Sequence, residues 1–364
     1  MLLGKLCSFL DSAIPLSLQE DYDNSGLQIG LPDMEISSAL ISLDVNEDVV
    51  DEAIRSGCEM IISHHPLIFK AVKRLSDKSI TERVIRKALT NNIAVYSAHT
   101  NLDMMPTGVS RKMAEKLDIR NIKVLSPLKG RLLKLVTYIP EKSLDRVRSA
   151  VFEAGAGVIG NYDMCGFTVS GTGSFRGNEN TNPYAGEREN LHFENEIRFE
   201  TILFSHMADK VVQALKETHP YEEVAYDIYK LENHNIDFGL GVSGDLPEAM
   251  KEIDFLQHLA KVYDAKGIRY SGNSGKIIKK VALCGGTGIS LINEAFALKA
   301  DAFITADIKY HNFFDAGGKI LLIDIGHYES EKFAVEILFE LIRKKFPTFA
   351  LRFSEINTNP IKYL

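Results

Sequence analysis

Cysteine is scarce and unevenly spread. Only Cys7, Cys58, Cys165 and Cys284 occur in 364 residues, with no short paired spacing, which excludes a disulfide framework and a zinc ribbon. Long apolar runs are missing too: no stretch approaches the roughly 20 residues that a membrane helix needs. Met1 to Leu16 is apolar at helical spacing, but Lys5 and Asp11 interrupt it and no small-residue cleavage site follows. It does not read as a signal peptide. Nor is there a strong charge imbalance. A net charge of −7 and a pI near 5.9 argue against a general nucleic-acid binder. These absences lead us to expect a cytoplasmic protein without a membrane partner, its cysteines reduced and mostly buried.

What is present is alternation of strand and helix, on a chain long enough for two or three units. Ala39 to Val45 reads as a strand ending at Asp44. Asn46 is placed to cap a helix from Glu47 to Ser56, with Gly57 just past its end. Further helices are expected over Ser79 to Asn91 and Gly108 to Leu117. From Leu128 the texture changes to strand, helix, two long strands, helix and a last strand ending near Tyr229, the order of a ferredoxin-like unit. Glu232 to Asp237 reads as the return linker. Strands over Lys280 to Cys284, Ala302 to Ala306 and Ile320 to Asp324 then resume the α/β pattern, and a final helix is expected over Ser330 to Lys345. The expected architecture is two similar α/β halves, residues 1–127 and 232–364, with an inserted ferredoxin-like α+β domain at 128–231.

The chemistry gathers at strand ends. Ile61-Ile62-Ser63 runs straight into His64-His65-Pro66, and open α/β sheets place ligands beyond the carboxyl ends of such strands. In extended chain, successive side chains point to opposite sides. The two imidazoles therefore serve either two ions, or one ion and the groups that orient its ligands. Ala94 to Ala98 leads into His99 and Asp103 in the same way. Ile320 to Asp324 leads to His327 and Glu331, which share a face if a helix begins near Tyr328. Imidazoles and carboxylates without a thiolate suit zinc, manganese, iron, cobalt or nickel. Asp103 and Glu331 are of a type that bridges two ions, and hydrolysis is the natural reaction class. Gly285-Gly286-Thr287-Gly288 either presents backbone amides to an anion or is a plain strand-to-helix turn. Asp307 and His311 are candidate acid/base groups at four-residue spacing, or a capping Asp and a surface His.

Taken together, Asp23-Asn24-Ser25-Gly26-Leu27, His64-His65-Pro66, Asn101-Leu102-Asp103, Thr305-Ala306-Asp307 with His311, and Gly326-His327 with Glu331 resemble the Nif-three-like dinuclear-metal family. Its bacterial members carry the label GTP cyclohydrolase I type 2 homologue. The resemblance covers both α/β halves and rests on the order of the motifs. It implies metal ligands at His64, His65, Asp103, His327 and Glu331, two divalent ions per subunit, and a toroidal homohexamer with its sites facing an internal cavity. Tyr22 stands where many members carry tryptophan, and this chain has none. The insert is similar to the PII/CutA-like extra domain of longer members, with His219-Pro220-Tyr221-Glu222 as its best match. Asn24, His99 and Gly286 are the candidates for contact with a substrate.

The expected function is therefore a dinuclear-metal hydrolase acting on a nucleotide or related small molecule. The rival expectation is a metal-binding regulatory protein that works through its insert, without catalysis.

Overall fold

The computed structural model describes residues 1–233, 235–272 and 275–364. His234, expected to be an ordinary surface or core histidine, lies outside the described residues. The chain divides into two compact units, one of Met1–Pro127 with Ile236–Leu364 and one of Leu128–Asn235.

The first unit holds two sheets. In the first, the strands stand in the order Gly26–Ile29, Ala94–Ser97, Met60–Ser63, Ser38–Ser42, Ala350–Phe353, all parallel except the edge strand Gly26–Ile29. In the second, Arg269–Tyr270, Leu321–Asp324, Ala302–Thr305, Ile277–Leu283, Asn235–Lys251 and Arg120–Leu128 follow one another, with the three strands from Leu321–Asp324 to Ile277–Leu283 parallel. Each sheet thus contains three consecutive parallel strands in matching order beside an antiparallel edge strand, with a fourth parallel strand in the first sheet and a further antiparallel strand in the second. Their carboxyl ends carry Asp44, His64 and His99 in one sheet, and Gly285, Asp307 and His327 in the other.

Alternation along these strands splits the burial. Met60, Ile62 and Tyr96 point into the same core as Leu283, Ile304 and Ile323 of the second sheet, together with four helices: Leu3–Ala13, Val109–Lys116, Glu252–Tyr263 and Ala334–Lys345. Ile61 and Val95 point the other way, onto Val49, Val50 and Ala53 of helix Glu47–Ser56 and Val84 and Ile85 of helix Ile80–Thr90. Strands buried on both faces need continuous apolar runs, which is what made them legible. The caps are as expected: the Asn46 side chain accepts from Val49 N–H at 2.9 Å, and Gly57 ends the helix at φ 67°.

The structure corrects several boundaries. Ala350–Phe353 crosses to the first sheet and Arg120–Leu128 to the second, so the two α/β halves exchange strands and share one core. Sequence reading missed both strands, along with Gly26–Ile29, Arg269–Tyr270, Asn235–Lys251 and helix Glu252–Tyr263. The expected linker Glu232 to Asp237 runs at its end into Asn235–Lys251. The final helix is broken into His327–Glu331 and Ala334–Lys345; the first faces the carboxyl ends of the strands and the second the core. Cys7, Cys58 and Cys284 are buried and Cys165 is half-buried. Among the described residues no helix is long and apolar enough to cross a membrane.

The second unit is a four-stranded antiparallel sheet in the order Gly166–Phe175, His192–Phe204, Leu132–Pro140, Tyr226–Lys230, with helices Leu144–Glu153 and Ala208–Thr218 on one face. The chain order strand, helix, strand, strand, helix, strand makes it ferredoxin-like. Its core is its own: Leu135, Ile139, Phe199 and Leu203 pack on Val147, Val151, Val211 and Leu215. The strands that lead into and out of this unit lie side by side in the first unit, where a Cβ on Gly239 would meet Ser126 O and one on Gly244 would meet Arg120 O. Leu128–Asn235 occupies the place of a hairpin turn. Replacing it by a short turn should leave a soluble core with a cooperative thermal transition; an insoluble or molten product would count against that independence.

His219 shows why its context looked unusual in sequence. Its Nε2–H donates to Tyr138 O at 3.0 Å and its Nδ1 accepts from Tyr221 N–H at 3.1 Å, so the ring is held neutral. Burial pushes its pKa down. The unfolded chain, with a value near ~6.5, therefore takes up a proton first as the pH falls. The contribution to stability is complete above about pH 6.5 and is lost progressively as the pH falls from there through the lowered folded value. Hydrogen exchange at the Tyr221 amide, corrected for intrinsic rates, should report easier opening at about pH 5.5 than at about pH 7.5. His219→Gln should flatten that difference, and equal opening at both pH values would reject the assignment.

Candidate metal centre

The His64-His65 pair is rigid because the chain stays laddered after its strand ends. His64 N–H donates to Ser42 O at 3.3 Å and His65 N–H to Leu43 O at 2.9 Å. Ser63 Oγ donates to His65 O at 2.8 Å, and Ala98 N–H donates to Ser63 O at 2.9 Å. Across the second sheet, Asp324 accepts from Ile308 N–H and Gly326 N–H, each at 3.0 Å, and is paired with Arg269. One carboxylate thereby fixes the two loops that carry Asp307 and His327.

Every imidazole of the cluster is oriented through Nδ1, and in each case the contact is 2.7 Å. His64 meets Ala98 O, His65 meets Asp44 Oδ1, His99 meets Asp23 Oδ1 and His327 meets Asp307 Oδ2. A carbonyl can only accept, so the His64 Nδ1 carries hydrogen and its Nε2 offers a lone pair. Imidazoles that ligate metals are held in this way. The Nε2 atoms of three of these rings converge on Glu331, whose Oε2 lies 2.7 Å from His65, 2.8 Å from His327 and 3.9 Å from His64. His64 Nε2 is also 3.8 Å from Asp103 Oδ1. Both of those atoms are buried and have no hydrogen-bond partner among the described residues. Two orphaned polar atoms facing each other at that separation cost free energy unless a cation joins them. The donor set fits a metal.

Among the described residues three groups could hold an ion: His64 with Asp103 and Glu331, His65 with His327 and Glu331, and His64 with His65 and His99. The alternation expected of extended chain separates the neighbouring histidines only in part. Both rings enter the cluster, 5.1 Å apart, His64 towards Asp103 and His65 towards His327.

The electrostatics also call for positive charge. Burial alone would make the His65 ring less basic, but its hydrogen bonds to Asp44 and Glu331 outweigh this and raise its pKa to about 9. His327, against Asp307 and Glu331, is raised to about 11 despite its burial. Burial raises Asp103 to about 6, opposed by the charge of His64. Glu331 is held well below the usual carboxylate range, its burial overcome by hydrogen bonds from the imidazoles. Without a cation the buried carboxylates draw protons onto the rings, because an uncompensated negative charge in this interior is costly.

The residues proposed from sequence divide. His64, His65, His99, Asp103, His327 and Glu331 come together, and Asp307 joins through His327. Asp307 stands at φ 54°, in the left-handed region, and also accepts from Thr287 Oγ1 at 2.7 Å. Asn24 spends its amide on Ile68 O at 2.6 Å and is exposed. His311 is exposed, and its ring meets Tyr310 and Phe314 rather than the cluster. Gly286 does not cradle an anion. Its N–H donates to Ser330 Oγ at 3.0 Å, while the Gly285 and Gly288 amides go to Ser110 Oγ at 3.1 Å and Thr305 Oγ1 at 2.8 Å. It serves the site by having no side chain, since a Cβ there would stand 2.1 Å from Glu331 Oε1.

Sequence reading missed the groups behind the imidazoles. Asp44 could have been found, because it ends a strand beside the His64 strand. Asp23 lay within the motif Asp23-Asn24-Ser25-Gly26-Leu27, one of those that carry the resemblance. Thr358 gave no signal: it sits in an aperiodic tail, yet its Oγ1 donates to Asp44 Oδ2 at 2.5 Å.

The profile of the Duf34/NIF3 (NGG1p interacting factor 3) family matches residues 1–360. The chain belongs to this family. Its DUF34/NIF3 relatives include a Staphylococcus epidermidis protein, 36% identical with 100% of both chains covered. A Halalkalibacterium halodurans protein is 38% identical, with 96% of this chain and 95% of that one covered. Both are named GTP cyclohydrolase 1 type 2 homolog. A Bacillus cereus protein related to NIF3, known from its crystal structure, matches with a TM-score of 0.87 at 37% identity, covering 100% of this chain and 99% of that one. The architecture described above is the NIF3 fold.

In this DUF34/NIF3 chain the tail reaches the centre through one hydroxyl. Thr358→Val removes the donor to Asp44 and loosens the partner of His65, so affinity for a divalent ion should fall by roughly tenfold. Competition against a chromogenic chelator measures it, and Thr358→Ser should restore it. Wild-type affinity in Thr358→Val would detach the tail from the centre.

Proposed function

We propose that this protein is a dinuclear metal-dependent hydrolase acting on a nucleotide or a related small molecule. One observation carries the reading. Glu331 belongs to two donor groups that share no other residue, His64 with Asp103 and His65 with His327. A carboxylate common to two donor sets is what a pair of neighbouring cations needs. Of the two carboxylates considered as bridges, the geometry favours Glu331, since Asp103 belongs to one group alone.

His64, His65, Asp103, His327 and Glu331 would hold two divalent ions, and their donor types suit zinc, manganese, iron, cobalt or nickel. Such ions supply Lewis acidity and acidify a water at neutral pH. The chain's own work is orientation. Ala98 O, Asp44 and Asp307 keep three Nε2 lone pairs turned inward. His99, oriented by Asp23, borders His64 and His65 at ring distances of 5.3 and 5.5 Å and is the best placed of the substrate candidates. The names of the relatives support a nucleotide. By the same family resemblance the protein is a homohexamer, which its mass in solution tests.

His64→Ala and His65→Ala should each lose about one ion per chain by elemental analysis, and Glu331→Gln should lose both together with any hydrolysis. Full metal occupancy in both histidine variants would sink the centre. A screen of nucleotides, phosphoesters and amides addresses catalysis separately: hydrolysis that persists in chelated, metal-free protein removes the ions from the reaction. Metal binding without turnover of any of these classes favours the regulatory reading.

A further inference from the structure

The second unit has chemistry of its own on the sheet face its helices leave free. Leu135, Ile139, Phe199 and Leu203 point to the helices, so the alternate residues Tyr138, Glu196 and Arg198 point away from them. Register brings Tyr138 opposite Arg198, Arg198 opposite Val169 and Glu196 opposite Gly171. Over this face lies a cavity of about 580 Å³, large enough for a small organic ligand.

Glycine makes the room. A Cβ on Gly171 would meet nothing within 4 Å, whereas one on Gly173 would lie 2.1 Å from Glu196 Oε2. The Glu196 carboxylate therefore lies over the neighbouring strand, at 9% exposure, and lines the cavity. Its Oε1 accepts from Tyr221 Oη–H at 2.8 Å. Its Oε2 accepts no hydrogen bond within the described residues and is not enclosed by protein, so the donor of a ligand in the cavity can reach it. The walls are aromatic: the Tyr221 ring is 6.0 Å from Tyr184 and 5.9 Å from Phe175. The connection between Phe175 and His192 closes over one side. It is held by Asn182 N–H on Glu222 Oε1 at 2.9 Å and by Glu189 N–H on Gly177 O at 2.7 Å. A connection of that length inside a compact unit is uncommon, and the hydrogen bonds that order this one set it among functional loops rather than linkers. Arg176, Arg198, Glu222 and Glu223 also line the cavity, and their charges offset one another, so selectivity falls to Glu196.

We propose that this cavity binds a small planar ligand with adjacent N–H donors, an amidine or an amino-substituted nitrogen heterocycle. Its donor edge meets Glu196 Oε2 and its flat face lies against Tyr184 and Tyr221. The site is independent of the metal centre, and no residue serves both.

The test is calorimetric titration of the full-length protein with benzamidine as a cationic probe, isocytosine as a neutral one, and benzoate as a flat ring without donors. Benzamidine and isocytosine should bind and benzoate should not; binding of benzamidine alone narrows the class to cations. Glu196→Gln should weaken binding by about tenfold or more, the size expected for losing a charge-assisted hydrogen bond. Gly171→Val, which puts a side chain into open space on a strand, should block the cavity without disturbing the fold. No binding by either donor probe, equal binding of benzoate, or affinity unchanged in both variants overturns the proposal. So does a changed molecular mass of the assembly with unchanged binding, which would make this face an interface between copies of the chain.

Discussion

The structure around the candidate centre depends on one buried carboxylate. Glu331 is 3% exposed, and imidazoles from two separate sheets turn towards it. A lone negative charge at that depth would be costly, so its surroundings must supply positive charge as protons or as metal. Protons go to His65 and His327, whose basicity is raised well above the ordinary imidazole range. That is a poor resting state for the pair, because their Nε2 atoms stand 3.3 Å apart and both rings cannot comfortably be cationic there. A metal would relieve the conflict, satisfying Glu331 while leaving each Nδ1–H with the acceptor it already has.

Much of the local geometry follows from making room for this group. The break between helices His327–Glu331 and Ala334–Lys345 lets the first turn its charged side chains towards the strand ends while the second keeps Ile337, Leu338 and Ile342 in the core. Gly286 stands at φ 61° where any larger residue would displace Glu331 Oε1. The hydroxyls of Ser110, Thr305 and Ser330 take up the amides that such a glycine turn leaves unpaired. Of the two readings open for Gly285-Gly286-Thr287-Gly288, the geometry favours the turn, shaped to admit a carboxylate.

The legible part of the fold was the part buried on both faces. Met60–Ser63, Ala94–Ser97, Ala302–Thr305 and Leu321–Asp324 are buried throughout, apolar up to their last residue, and run on into functional groups, so pattern and chemistry agree. Edge strands leave no such trace. Arg120–Leu128 is mostly half-buried and Ala350–Phe353 largely exposed, and the register that makes each a strand belongs to a sheet built mostly from the other half. Residues that would touch a ligand were visible because histidine and carboxylate are rare at strand ends. Residues that orient them, Asp23, Asp44 and Thr358, act through single hydrogen bonds across as many as 314 positions of sequence, and no periodicity encodes those.

Placing the insert where a hairpin turn would be has a physical consequence for function. Arg120–Leu128 and Asn235–Lys251 pair with each other, and the latter also pairs with Ile277–Leu283, with Val242 opposite Leu283, two residues before Gly285. These strands carry the chain towards the loop that shelters Glu331. A strand fixed in a ladder moves little, and coupling between distant sites requires an element with two alternative arrangements. Leu125 and Cys284 are packed in one buried cluster with Leu291 and Phe303, which resists such a shift. The strands through which the insert joins the first unit are therefore held in one arrangement, and so is the loop around Glu331 that they lead to.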